Sequence, residues 1–203
     1  MVRTWDTLIS FFFVTVSLLL TMALRSVALN PIVARRSIAR YSPDKVAPAI
    51  VDRALEAAVL APNHFLSAPW RFYTLGPETV QGKILSALPA DKAKAFEQIP
   101  HWMIVTMHSE HDFSSKLWLE DHAATSCAIQ NFLLSLATEG IGSKWMTGAL
   151  GVGPEKMLEA VDAKEGEHFM GAIWYGIPEK ELSEGTKAPR KKRTLEECRV
   201  DLP

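Results

Sequence analysis

Four short segments of this chain carry residue types that can do chemistry together. The first is Arg35-Arg36-Ser37-Ile38-Ala39-Arg40-Tyr41. Two guanidiniums and a hydroxyl beside a helix end suit a phosphomonoester, which wants bidentate charged donors and a short hydrogen bond. A basic pair on a helix surface is usually just solvated, so this segment gains meaning only from its companions. The second is the loop Ala61-Pro62-Asn63-His64-Phe65-Leu66-Ser67-Ala68-Pro69, running into Trp70-Arg71-Phe72. The third is Gly140-Ile141-Gly142-Ser143-Lys144-Trp145-Met146-Thr147-Gly148, and Gly171-Ala172-Ile173-Trp174-Tyr175-Gly176-Ile177-Pro178 closes the set.

Several other chemistries are missing. There is no GxxxxGK[ST] phosphate loop and no GxGxxG after a strand. GxSxG and HExxH are also absent. His108 and His111 stand three apart after a strand, but no cysteine or carboxylate pattern completes a metal site around them. Glu120 and Asp121 precede a helix body and most simply complement its N-terminal dipole. Cys127 and Cys198 are too few for a disulfide framework or a CxxC zinc site.

The elements that must position these segments are legible from periodicity. Val46–Leu60 has apolar residues at helical spacing and stops at Pro62. Trp70–Leu75 alternates aromatics at strand spacing and ends at Gly76-Pro77. Pro77–Leu88 and the Lys/Ala/Glu-rich stretch to Glu97 predict two helices, and Trp102–Met107 a buried strand. Glu120–Thr138 predicts a long helix, apolar on nearly every side, which asks for burial on every side and hence a subunit interface. Gly140 and Gly142 end it. A strand begins over Trp145–Thr147, a helix covers Pro154–Val161, and Phe169–Tyr175 is a strand. Helices and strands mix without strict alternation, so the fold class is α+β.

The chain has 203 residues, 48% of them hydrophobic and 22% charged, with 22 basic against 23 acidic residues. This is a globular composition with no global field toward nucleic acid. The division is into a hydrophobic N-terminal segment, residues 1–30, and one domain over 31–203. Leu8–Leu24 carries no charge over 17 residues. That is the lower edge for a membrane-spanning helix and slightly long for a signal-peptide core. Ser26-Val27-Ala28 offers small residues for cleavage. As an uncleaved anchor, Arg25, Arg35, Arg36 and Arg40 downstream would leave the domain on the cytoplasmic side. The segment reads as a cleaved organelle-targeting or secretory signal, as an anchor giving membrane association through 8–24, or as a buried core helix.

From Arg35 onward the motifs, taken in order, resemble the nitroreductase family of flavoproteins, in its small single-domain branch. The resemblance rests on the Arg-Arg-Ser opening, the Ala-Pro-Asn-His loop before Pro69-Trp70, the GxGxxWx(S/T)G segment and the Gly171–Pro178 ending. It covers about residues 31–198. It implies an α+β fold with a central, mostly antiparallel sheet flanked by helices, and a homodimer built on the long helix with FMN in clefts where the subunits meet. It implies NAD(P)H as co-substrate and a small-molecule acceptor, a nitroaromatic, quinone or similar compound, reduced by ping-pong hydride transfer. No side chain need act as nucleophile or essential acid–base group, because the flavin carries the chemistry. By the family pattern Arg35, Arg36 and Ser37 bind the FMN phosphate and ribityl chain. His64 contacts the flavin from the loop. Trp145, Met146 and Thr147 line the isoalloxazine or phosphate side, largely through backbone. Arg190 and Lys192 sit where relatives place a basic C-terminal phosphate ligand; Lys187–Arg193 otherwise reads as a solvated tail. Trp118 and Phe113 are pocket candidates or core packing.

The chain departs from the family pattern at three places. Ala68 replaces the common Gln before Pro-Trp, Leu60 stands where relatives are often basic, and Phe65-Leu66 replaces small polar residues. Two further readings stay open beside the reductase. One is a reductive dehalogenase of the iodotyrosine deiodinase type, although only about 30 residues separate Trp70 from His101 and no matching lid is visible. The other is a flavin-binding protein without turnover.

Overall fold

In a computed structural model of the chain, residues 30–180, 182 and 193–202 are described. The element order is α1 (Pro31–Ala34), α2 (Pro48–Val59), β1 (Trp70–Leu75), α3 (Pro77–Thr79) continuing as a π-helix over Val80–Leu85, α4 (Ala90–Phe96), β2 (His101–His108), α5 (Lys116–Thr138), β3 (Gly142–Met146), α6 (Pro154–Ala160), β4 (Glu167–Gly176) and α7 (Leu195–Cys198). The four strands form one antiparallel sheet in the order β1-β2-β4-β3. The expected α+β class, with an antiparallel sheet flanked by helices, is what the chain adopts.

Strand alternation divides the core in two. Met103, Val105 and Met107 of β2, with Ile173 and Tyr175 of β4, face α2 and α5, where Ile129, Phe132 and Leu136 meet them. Trp102, Ile104, Ala172 and Trp174 point the other way, onto Val80, Ile84, Leu85 and Met157 from the helices of the opposite layer. β2 is buried on both faces, which explains why WMIVTM reads as a continuous apolar run rather than an alternating one.

One irregularity in this sheet bears on the site. β2 and β4 slip register between Val105 and Thr106: Val105 faces Gly171 and Thr106 faces Phe169. Met170 is the extra residue, a β-bulge that leaves its carbonyl free of the ladder.

Two elements differ from expectation. The long helix starts at Lys116, four residues early, because Ser115 caps it by accepting a hydrogen bond from the Trp118 amide at 3.1 Å. Glu120 and Asp121 therefore lie in the second turn, beyond the reach of the terminal dipole, and do another job. The same helix is not covered on every side within one chain, since His122, Ala123, Cys127 and Gln130 are exposed. β3 spans Gly142–Met146 rather than starting at Trp145, so Thr147 lies past its end.

Candidate functional site

The Arg35–Tyr41 segment is tied to the sheet at both ends. Ser37 bridges Ser143 in parallel, and the Ile38 amide donates to the Ser143 carbonyl at 3.0 Å. Gly142 makes this approach possible, because a Cβ there would stand 3.0 Å from the Ile38 side chain. Further along, the Tyr41 hydroxyl donates to the Ile38 carbonyl at 2.5 Å, and the Ser42 amide to Ile177 at 2.8 Å. Tyr41 is buried, and burial pushes its phenol well above the usual range. Arg35 and Arg36 are half-buried beside this anchor, and Ser37 is exposed.

β3 is an edge strand, and its outer edge is the side that Ile38 touches. Because Ser143 points its carbonyl outward, alternation along the strand points the amide and carbonyl of Trp145 outward too. No neighbouring strand pairs with them among the described residues. The Trp145 indole has a different task. Its Nε1 donates to the bulged Met170 carbonyl at 2.9 Å, so the side chain packs over Gly171 and braces β3. The expectation that Trp145 lines a pocket is thus narrowed to its backbone. Met146 is buried in the helix-covered layer and Thr147 is exposed. The Ser143 hydroxyl is buried, with no hydrogen-bond partner among the described residues.

His64 stands elsewhere. Its Nδ1 lies 2.9 Å from Glu120 Oε2, off the line of a hydrogen bond, and Lys116 Nζ is 3.4 Å from the other Glu120 oxygen. Next in sequence, Asp121 is buried and accepts from Ser67 Oγ at 3.0 Å and Ser109 Oγ at 2.9 Å. The consecutive acids thus clamp both ends of the turn 64–67. The clamp has something to hold: Phe65, Leu66 and Ala68 have φ of 47°, 59° and 44°, each a left-handed backbone that costs a non-glycine residue about 1 kcal/mol or more. Asn63 Oδ1 accepts from the Ala68 amide at 3.0 Å and helps fix it. Only a weak signal in the sequence marks the acids' role: two consecutive acids near a helix start, with a single Asn and a single Ser in the 61–69 loop.

The strained turn thrusts Phe65 and Leu66 into solvent, 91% and 86% exposed. Leu60, Phe113 and Leu119 are exposed as well. Trp118, by contrast, is a buried core residue rather than a pocket wall.

One chain does not bring the two halves together. Glu120, beside His64, and Leu136, whose carbonyl holds Ile141 at the start of β3, are sixteen residues apart on α5. That is roughly 24 Å along the helix axis. Arg190 and Lys192 lie outside the described residues, as does the hydrophobic segment Leu8–Leu24. Among the described residues, no helix is long and apolar enough to cross a membrane.

Residues 32–177 match the model of the nitroreductase family. The chain belongs to the nitroreductase family. A Bacillus subtilis member, named "Putative NAD(P)H nitroreductase YfhC", is 27% identical over 186 residues, covering 84% of this chain and 94% of that protein. Among solved structures, a nitroreductase-like family protein from Bacillus cereus superposes with a TM-score of 0.72 at 24% identity, over 85% of this chain and 94% of that one. A structure from Desulfovibrio desulfuricans, described as "a putative nitroreductase in complex with FMN", superposes with a TM-score of 0.68 at 24% identity, over 86% and 96% of the two chains. The two solved structures share this fold with the chain.

Proposed function

We propose that this member is an FMN-dependent oxidoreductase that takes a hydride from NAD(P)H and passes two electrons to a nitroaromatic, quinone or similar acceptor. The observation that carries the proposal is the junction of Arg35-Arg36-Ser37 with β3. Two guanidiniums and a hydroxyl stand beside an edge strand with an unpaired amide and carbonyl at Trp145, and the orphaned Ser143 hydroxyl is buried next to them. This donor set fits the group: cations and hydroxyls for a phosphate and ribityl chain, an open strand edge for the polar rim of a flavin. The neighbour described with FMN and the relative named for NAD(P)H support the same reading. When bound, FMN supplies the hydride acceptance and the two-electron transfer.

The chain's own residues hold and orient. Arg35 and Arg36 would neutralise the phosphate and Ser37 would hydrogen-bond it, Arg190 and Lys192 would add charge from the tail, and the Trp145 backbone would hold the flavin rim. The distance between His64 and this junction points to a second copy. In a homodimer, His64 of one subunit would complete the other subunit's pocket, and the exposed Leu60, Phe65, Leu66 and Leu119 would be covered. A catalytic domain over 31–203 and an addressing or anchoring segment over 1–30 belong to the same proposal. The deiodinase-like alternative gains nothing from the geometry, since the stretch between β1 and β2 is spent on α3, its π-helical extension and α4 packed against the sheet.

Replacing Arg36 and Ser37 by Ala together tests the assignment. The full chain should lose its flavin on gel filtration while keeping its circular dichroism. Unchanged flavin retention would count against the phosphate site.

A further inference from the structure

Arg40, Lys92 and Lys144 line a cleft of about 360 Å³ on the face of the sheet away from α5. That volume lies in the ordinary range for small-molecule sites. No carboxylate lines the cleft. Among the described residues none of the three cations has an acidic partner. Lys144 Nζ stands 5.3 Å over the buried Trp174 ring, and the half-buried Phe96, edge-on to Trp174, gives the cleft an aromatic side. In a chain with 22 basic and 23 acidic residues, three cations lining one cleft with no carboxylate among its lining residues leave it locally positive. An anion of two or more charges would offset that charge.

The cleft's place narrows the choice of anion. Lys144 and Met146 flank Trp145 on β3, so the cleft backs onto the strand whose outer edge meets the flavin in the proposed function. Ala39 and Arg40 also line a second cleft, of about 250 Å³, that contains Ser37, so the two clefts share a wall. NADPH and NADH differ by one group, the dianionic 2′-phosphate on the adenosine ribose. The nicotinamide at the far end must reach the flavin, so this phosphate must rest away from it.

We propose that Arg40, Lys92 and Lys144 bind the 2′-phosphate of NADPH, with the adenine against Phe96, and make this chain selective for NADPH over NADH. The proposal rests on the reading that the reductant is a nicotinamide dinucleotide.

The test uses the full chain and two probes, 2′,5′-ADP and 5′-AMP, measured by calorimetry. The wild type should bind 2′,5′-ADP at least about tenfold tighter than 5′-AMP, as charge-assisted phosphate contacts require. Lys92→Glu should erase most of that difference, and the pair Arg40→Ala with Lys144→Ala should do the same. In the flavin-loaded protein kcat/KM for NADPH should fall about tenfold while that for NADH stays level and the flavin absorbance is retained. Equal binding of the two nucleotides by the wild type would overturn the proposal. So would inorganic phosphate binding as tightly as 2′,5′-ADP, which marks a generic anion patch. Release of FMN by Lys92→Glu would also overturn it, by assigning the cleft to the flavin's own phosphate. Should the wild type hold no FMN at all, the proposed function fails, and the two nucleotide titrations still decide the cleft.

Discussion

Gly171→Ala tests how the bulge in β4 positions β3 and its Trp145. Gly171 has φ of +147°, and a Cβ there would collide with the Trp145 indole, 2.6 Å from its Cδ1, and stand 2.8 Å from the Met146 carbonyl oxygen. The Met146 contact is backbone and cannot swing away, so β3 must shift or the indole must leave. Overpacking of this kind costs about 1–3 kcal/mol. Expelling the indole breaks its hydrogen bond to the Met170 carbonyl, about 1 kcal/mol more, and a left-handed alanine adds about 1 kcal/mol. The sum is roughly 4 kcal/mol, a large part of the stability of an ordinary domain. At about 2–4 °C per kcal/mol for a chain this size, Tm should fall by roughly 8–16 °C. Urea titration followed by tryptophan fluorescence and circular dichroism measures the loss, and an unchanged m-value confirms that stability alone has moved. Adding Trp145→Ala should recover part of the loss, giving a coupling of about 1 kcal/mol or more. Flavin retention should weaken in the single variant, because the displaced strand is the one that presents the Trp145 backbone. A Gly171→Ala protein within about 0.5 kcal/mol of wild type, the scatter expected of a neutral change, would refute the reasoning, as would strict additivity with Trp145→Ala.

The remaining expectations concern other parts of the fold. Phe65→Asp should leave the unfolding free energy of a single chain nearly unchanged, since the ring is 91% exposed, but should shift the proposed dimer toward monomer in sedimentation, each Phe buried in the proposed interface being worth about 1.5–3 kcal/mol; a monomeric wild type would sink the interface reading. Glu167 has a fully buried side chain that accepts from Thr106 at 2.6 Å and Tyr73 at 2.8 Å, with Arg71 Nε at 3.1 Å from its other oxygen. Glu167→Ala should therefore cost about 2–4 kcal/mol in urea unfolding, and a cost under about 1 kcal/mol would show that the network is dispensable. Burial alone would raise the Glu167 carboxyl, but the Thr106 and Tyr73 hydrogen bonds and the Arg71 charge outweigh it and hold it below the ordinary 4.5, so its contribution is present above that pH and lost as pH falls below it. His101 accepts from the Val46 amide through Nε2 at 3.1 Å, and burial, then Lys45, hold it below the ordinary 6.5. A depressed imidazole stabilises above pH 6.5 and loses that contribution as pH falls, so wild-type stability should drop below pH 6.5 with a slope that His101→Gln lacks; identical pH profiles would remove His101 from the account.

Much of the fold was legible because its signals are local. Trp70–Leu75, Trp102–Met107 and Phe169–Tyr175 carry strand patterns in a few residues, and Val46–Leu60 carries a helical one. β3 was placed late because Gly142 and Ser143 look like loop residues; they are buried only because Ile38, a hundred residues earlier, lies against them. The task of the Trp145 indole was hidden for a similar reason, since it depends on a bulge at Met170 that exists only in the cross-strand register. Glu120 and Asp121 looked like dipole partners while the helix start was read four residues late. Once Ser115 is seen as the cap, they fall where they can grip the 64–67 turn. The residue types of Arg35–Ser37 suggest a phosphate site only together with the other motifs, and their attachment to the β3 edge is not visible in the sequence.

The central claim is that this chain holds FMN and cycles it with a nicotinamide dinucleotide. Anaerobic titration of the purified full chain with NADPH tests it most directly. The account predicts a yellow protein with a flavin spectrum that bleaches stoichiometrically with added NADPH and recovers when a quinone or nitroarene is admitted. A colourless protein that takes up no added FMN, or a bound flavin that NADPH and NADH both leave oxidised, would contradict it.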